Sequence, residues 1–345
     1  MKKEKKGEGK GRAIILMMVM MMVMGCNSGG VKDPEKVFLS DIANLGKGFL
    51  DVFVSFGDMI TETLGIKADT KKSEIGGYFS KIAETMKGVK EKLGKILEEN
   101  GKYEKVKGKV EEFIGKISKI EEGAKEASKG ATGDFAIGNA VKEGQDAVAA
   151  DVTSVNSLVK GIKTIVDVVL TKGKADADAI QDGEKKKVGQ FFARKDDAPQ
   201  EAETAKANAS VGAVSGADIL QAIVKSDQVV NGDIKIDAAQ DAAEIAAAKK
   251  DDAKKEIKED QKDAIIAAGI ALRAMAKDGK FAAKQDASDK YANAVNGVVS
   301  SAVNKVLSTL IIAIRNRVDE GLKEINKVLG EIKQGEGSES KVKAN

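Results

Sequence analysis

The chain has no histidine and no tryptophan, a single cysteine, two prolines and three tyrosines in 345 residues. Each scarcity excludes something. Without histidine there is no imidazole acid–base catalysis, and with one cysteine there are neither the usual zinc ligand sets nor a Cys/His nucleophilic pair. One cysteine also rules out an intrachain disulfide, so stability has to come from packing. The prolines stand only at 34 and 199. Long helices therefore run uninterrupted, and the abundance of Ala, Lys and Glu favours them. No Gly-rich phosphate loop, metal-ligand cluster or nucleophile elbow is present, so the chain is read as non-enzymatic and without a cofactor or metal.

What is present begins at the N-terminus. Lys2, Lys3, Lys5, Lys6, Lys10 and Arg12 form a basic head, followed by an unbroken apolar run over residues 13–24. Gly25 and Cys26 close it, and Asn27-Ser28-Gly29-Gly30 opens a polar spacer. A charged start, a short apolar run and a small residue describe a secretory signal. The run is too short to span a bilayer, which takes about 20 apolar residues. Val23-Met24-Gly25-Cys26 resembles the lipobox of bacterial lipoproteins, with Val in place of the usual Leu and Met in place of a smaller residue. That resemblance implies cleavage between Gly25 and Cys26, with diacylglycerol on the Cys26 sulfur and an acyl chain on its amine. Several chains, each contributing about 0.8 kcal/mol per buried CH₂, anchor a protein essentially permanently. The expected organisation is a signal over 1–25, a lipidated tether over 26–32, a helical domain over 33–333 and a polar tail over 334–345.

Removal of residues 1–25 takes away six of the 57 basic and two of the 54 acidic residues. The mature chain carries 51 basic and 52 acidic residues, so its net charge is close to −1. The apparent basicity belongs to the signal, and a nucleic-acid partner loses its compositional support.

Asp33-Pro34-Glu35 has the chemistry of a helix start, and Phe38, Ile42, Leu45, Phe49, Phe53, Phe56, Ile60 and Leu64 continue it at steps of three and four. A second stripe follows through Ile75, Tyr78, Phe79, Ile82, Met86, Val89, Leu93, Ile96 and Leu97, stopped by Asn100-Gly101. A third runs from Tyr103 through Val106, Val110, Phe113, Ile114 and Ile117 to Ile120, and a fourth from Val152 to Leu170. Short breaks between them imply antiparallel neighbours. Between these stripes, residues 121–147 suggest short helices. Over residues 171–210 the periodicity dissolves, and Asp176, Asp178 and Asp182-Gly183 lack the spacing of a calcium loop, so the stretch is read as a solvated loop. Residues 211–230 look helical, and 237–263 look helical but weakly anchored.

The last element is the clearest. From Val295 to Leu329 one apolar face persists for about nine turns, roughly 50 Å of helix. The stripe over 38–64 is its expected partner. These observations give an all-α fold, a helical bundle whose long N- and C-terminal helices pack together near the membrane. The segments 121–147, 171–210 and 226–262 are then expected to project away as irregular distal loops and to meet antibodies first.

One segment is more specific than composition. The run Asp263-Ala264-Ile265-Ile266-Ala267-Ala268-Gly269-Ile270-Ala271-Leu272-Arg273-Ala274-Met275-Ala276-Lys277-Asp278-Gly279-Lys280-Phe281 resembles a signature of the variable large proteins of relapsing-fever Borrelia. A similar stretch occurs in the related variable surface lipoprotein of Lyme-disease spirochaetes. Relatives often carry Arg-Gly-Met where this chain has Arg273-Ala274-Met275. Physically, Ile265, Ile266, Ile270, Leu272 and Met275 describe a buried helix stopped at Asp278-Gly279, where glycine takes a positive φ. Its basic edge is expected to be solvated. The alternative there is an anion site from Arg273, Lys277, Lys280 and Lys284, with Phe281 stacking on a partner.

The resemblance implies a mostly helical lipoprotein displayed on the outer membrane and facing the exterior, with host antibodies as its partners. It also implies that one version is expressed at a time and that switching evades existing antibody. The competing reading is an adhesin that binds acidic host glycans through Lys105, Lys107 and Lys109 or through Lys185, Lys186 and Lys187. Each run is interleaved with acids, so a solvated face is the default.

Overall fold

Apolar side chains three and four residues apart give helices wherever the stripes are strong. The computed structural model describes residues 66–342 except 101–103, 181–182, 231, 252, 254 and 287–288. Gly25, Cys26, the tether and the stripe over 38–64 lie outside the described residues, and so does the pairing expected between that stripe and the C-terminal helix. The α-helices are α1 (Lys72–Asn100), α2 (Glu104–Gly130), α3 (Val152–Val169), α4 (Glu201–Ala213), α5 (Gly216–Lys225), α6 (Ala242–Ala247), α7 (Asp263–Met275) and α8 (Lys290–Val342). Two 3-10 helices, Gly183–Phe192 and Lys195–Asp197, precede α4. Among the described residues there is no strand, only isolated bridges such as Lys71 with Ala136 and Val148 with Lys280. The all-α expectation holds.

By packing, the described residues fall into two units. The first holds those of Gly88–Gly115 and Val318–Asn345. Its buried side chains are Val89, Leu93, Val106, Val110, Phe113, Val318, Leu322 and Ile325. Gly321 leaves room for a ring there, because a Cβ on it would lie 2.2 Å from the Phe113 edge.

The second unit holds the described residues of Asp58–Lys87 and Lys116–Arg317. The expected stripes are its walls: Ile75, Phe79 and Ile82 of α1, Ile117 and Ile120 of α2, Val155 through Val166 of α3, and Val295 through Ile314 of α8 are buried. The start of α1 meets the end of α2, as an antiparallel pair requires, with Gly76 against Ser128 and Ala131. At the centre lies α7, packed against α4, α5 and α6 and more lightly against α3.

Several sequence expectations change. Residues 121–130 are not short helices but the last turns of α2. Residues 171–210 are not a solvated loop: beyond a largely exposed stretch over 171–176, the 3-10 helix buries Val188, Phe191 and Phe192, and α4 follows. Before α7 begins at Asp263, the described residues of 237–263 are α-helical only over Ala242–Ala247, and that short helix is deeply anchored, with Ile245 and all four of its alanines at or below 1% exposure. The supposed distal loops therefore supply much of the core. The reason is side-chain size: alanine buries too little area for a periodic signal, yet lets helices approach closely. The expected polar tail also continues α8, which reaches Val342 over 53 residues, about 80 Å.

Close approach is clearest between α2 and α3. A Cβ on Gly161 would sit 2.3 Å from the Ala127 nitrogen and 2.5 Å from the Gly123 carbonyl oxygen, and one on Gly130 would sit 2.3 Å from the Ser154 oxygen. These are backbone atoms, which cannot move aside singly. Gly161→Ala should therefore lower stability to urea by about 1–3 kcal/mol. Gly77→Ala on α1, where nothing lies within 4 Å, should raise it by about 0.5–1 kcal/mol through the unfolded chain.

Candidate functional site

The segment singled out in the sequence forms α7, and all of its residues except Ile265 are buried. A helix enclosed this way cannot leave its end groups to water, so the surrounding chain has to satisfy them. At the N-terminal end Asp263 is fully buried. Its Oδ2 accepts the backbone N–H groups of Ala179 (2.9 Å) and Ile180 (2.8 Å), and the Ala264 N–H donates to Ala177 O. Lys185 Nζ stands 3.7 Å from Asp263 Oδ1 and 2.5 Å from Asp178 Oδ1. Lys262 reaches the other Asp178 oxygen at 3.2 Å. Burial works against ionising Asp178, but the hydrogen bonds from Lys185 and Lys262 outweigh it and hold the carboxyl below its usual range. A negative charge at this end also complements the helix dipole.

At the C-terminal end the donor is the Lys72 amine, from the first turn of α1. It is fully buried and donates to Arg273 O (3.0 Å) and Ala274 O (2.5 Å). Arg273 is fully buried too. Its Nε donates to Lys280 O at 3.0 Å, and Nη1 to Ala246 O and Ala248 O at 3.1 and 2.9 Å, where α6 ends. Its Cζ lies 4.9 Å from the centre of the Phe192 ring. Burial, then the Arg273 charge, lower the Lys72 pKa to about 7; Asp278 pulls it up, and Lys280 adds the smallest lowering. Burial alone lowers Arg273 to about 9, which leaves it charged at neutral pH.

These contacts remove the expected surface sites. Arg273 is not on a solvated basic edge, and its guanidinium points inward, so it forms no anion site with Lys277, Lys280 and Lys284. Lys280 instead covers the Phe135 ring at 3.9 Å. Phe281 is fully buried, edge-on to Phe191 and Phe192, and cannot stack on a partner. The helix stop differs as well. Asp278 takes the positive φ (65°), while Gly279 is needed because a Cβ would lie 2.3 Å from Arg273 O. Of the proposed glycan-binding lysines, Lys185 is buried in its ion pairs. Lys186 and Lys187 pair with Glu256 and Glu184, and Lys109 pairs with Glu112.

Sequence reasoning missed Lys72, Asp263 and Lys185 as interior charges, since a buried lysine has no signature of its own. It also missed α4 and the limits and deep anchoring of α6, although the caps were legible. Gln200 N–H bonds Glu203, and Glu244 N–H bonds Asp241, each three residues apart.

A model of the Borrelia lipoprotein family matches residues 49–329. The chain belongs to the Borrelia lipoprotein family. It is 59% identical over 297 residues to variable large protein 17 of Borrelia hermsii, covering 84% of each chain. It is 57% identical over 326 residues to variable large protein 4 of the same organism, covering 92% of each. Among solved structures, that of the Lyme disease variable surface antigen VlsE of Borrelia burgdorferi matches with a TM-score of 0.71 at 35% identity, covering 84% of this chain and 97% of that one.

In this lipoprotein the buried ion pairs at the start of α7 tie the 177–180 segment and the first 3-10 helix to the core. Lys185→Ala should destabilise the fold by about 3–5 kcal/mol in urea melts, because it strands a buried carboxylate, whereas Lys187→Ala should leave the midpoint unchanged. Asp178 contributes stability that is present above its ordinary pKa of 3.8 and is lost as pH falls through its lower folded value. Lys185→Ala should reduce that acid-dependent part.

Proposed function

We propose that this lipoprotein is a non-enzymatic coat antigen, held to the outer membrane by acyl chains on Cys26 and facing the cell exterior. One version is expressed at a time, and exchange for another removes the surface that existing antibody recognises. The likeness to VlsE, a variable surface antigen by title, carries the reading, because it spans 84% of this chain at 35% identity. The fold suits the role. The buried side chains at the two ends of α7 bond to groups within the chain, so an exposed position such as Val230 takes no part in that network. Val230 is 94% exposed, and residues 171–174 and 194–196 are exposed as well. Substitutions at such places typically change stability by less than about 0.5 kcal/mol.

The adhesin alternative keeps only Lys105 and Lys107 as lysines without an assigned role, so no observation favours it over the antigen reading. Salt-sensitive heparin binding lost on reversing those two charges would favour it.

Mass analysis of the native protein should find Cys26 as the first residue, bearing diacylglycerol and an N-acyl chain, and Cys26→Ala should release the chain from the membrane fraction. Antibody raised against the folded protein should stain intact cells. A native polypeptide that begins at Met1 or carries a free thiol overturns the anchor. Absence of staining on intact cells that stain once permeabilised overturns the display.

A further inference from the structure

Lys72 and Arg273 are buried side by side, and each of their hydrogen bonds goes to a backbone carbonyl, never to a carboxylate. Arg273 Nη2 has no acceptor at all. Two positive charges in a dry interior repel strongly, and the arrangement is relieved if one gives up its proton. Only lysine does so near neutral pH. A neutral amine keeps two N–H donors, matching the two carbonyls that Lys72 reaches, so deprotonation breaks neither bond.

The charged groups acting on Lys72 are Arg273 on α7 and Asp278 and Lys280 on the segment after it. Among the other acids on adjoining pieces, Asp134 is exposed, Asp151 caps α3 at Ser154, and Glu74 accepts from the Lys71 N–H. Asp278 is exposed and sits at the centre of a tight turn, with φ 65° and the Gly279 N–H donating to Lys277 O at 2.9 Å. That conformation is strained for a residue with a side chain.

The same residues join three stretches of chain. Lys72 N–H donates to Phe135 O, the Phe135 ring lies under Lys280, and the backbones of Lys280 and Val148 pair with one another. We propose that Lys72 and Arg273 form a proton-controlled clasp: with Lys72 neutral, the start of α1, the end of α7 and the 276–283 segment are locked together, and protonation of Lys72 loosens 276–283 and the 131–151 stretch paired with it. Opening falls there because Lys277 and Asp278 already face water, whereas α7 has no exposed side to give way.

The sign follows from the lowered folded pKa of Lys72, about 7 against an ordinary 10.5. Between those values the unfolded chain binds the extra proton, so stability rises with pH. The contribution is complete above about 10.5 and lost once pH falls through about 7.

Urea unfolding of the full mature chain from pH 6.5 to 10, compared with Lys72→Met, tests the clasp. Relative to the variant, the folding constant of the native chain should rise by up to about tenfold per pH unit between about 7 and 10. Parallel pH profiles overturn the proposal. If Lys72→Met fails to fold, hydrogen exchange on the native chain decides. After correction for intrinsic rates, protection at Lys280, Ala282 and Ala283 should fall between pH 9 and pH 6, while the Val229 amide, held by Asn156, stays constant. Asp278→Asn should move that midpoint to lower pH. Uniform protection across the range, or a midpoint indifferent to Asp278, overturns it.

Discussion

A helix with no face to water must have both of its ends satisfied by protein, and α7 imposes that demand on everything around it. Its open N–H groups and dipole are met at the start by the buried Asp263 carboxylate, and its last carbonyls at the finish by the N–H donors of the buried Lys72 amine. Each of the two side chains then recruits its own surroundings. Asp263 draws in the 177–180 backbone and Lys185. Lys72 brings the first turn of α1 to the same point that Arg273 uses to gather the end of α6 and the 280 strand-like stretch. The order of the surrounding pieces follows from which donors and acceptors α7 leaves open.

The same device recurs elsewhere in the second unit. Lys305 of α8 donates to Val211, Gly212 and Val214 carbonyls where α4 ends, and Lys163 of α3 reaches Val224 O at 3.5 Å where α5 ends. Helix C-termini expose carbonyls and partial negative charge, and a cation on a long stem serves both. Extended segments are treated likewise by amides: Asn156 holds both backbone groups of Val229, and Asn296 holds both of Ala140. A chain poor in aromatics and rich in alanine has little large apolar surface with which to fix irregular segments. Specific hydrogen bonds take over that task, at the cost of burying charges that hydrophobic groups would not require.

This explains what was legible. Stripes of Val, Ile, Leu and Phe on α1, α2, α3 and α8 stand out from Lys and Glu between them, so periodicity finds them. The signature segment was legible as a buried helix but not as the centre. Its burial is judged from Ile266, Ile270 and Met275, while its role depends on Asp263 and Arg273, whose partners lie up to 201 residues away in sequence. Alanine-lined α6 and the 3-10 helix carry no strong period, and lysine at 185 looks like its neighbours 186 and 187 although only it is buried. The anion site failed for a related reason: proximity in sequence on a helix end says nothing about which of four cations turns inward.

A protein whose outer positions change while its fold persists needs its structural contacts and its displayed side chains to be different sets. Here the separation is physical. The tight α2–α3 approach rests on glycines 123, 130 and 161, with no side chain to vary. The α7 ends rest on Asp263, Lys72 and Arg273, all fully removed from solvent. The caps of α3, α5 and α6 rest on Asp151, Ser215 and Asp241, each bonding a backbone N–H three residues on. None of these interactions requires a particular residue at exposed positions such as Val230 or residues 194–196. Contacts between backbone and buried charge are also directional, so they keep one arrangement of the chain while apolar packing alone would tolerate several. The irregular pieces can therefore lie at the surface on one side and still be fixed on the other.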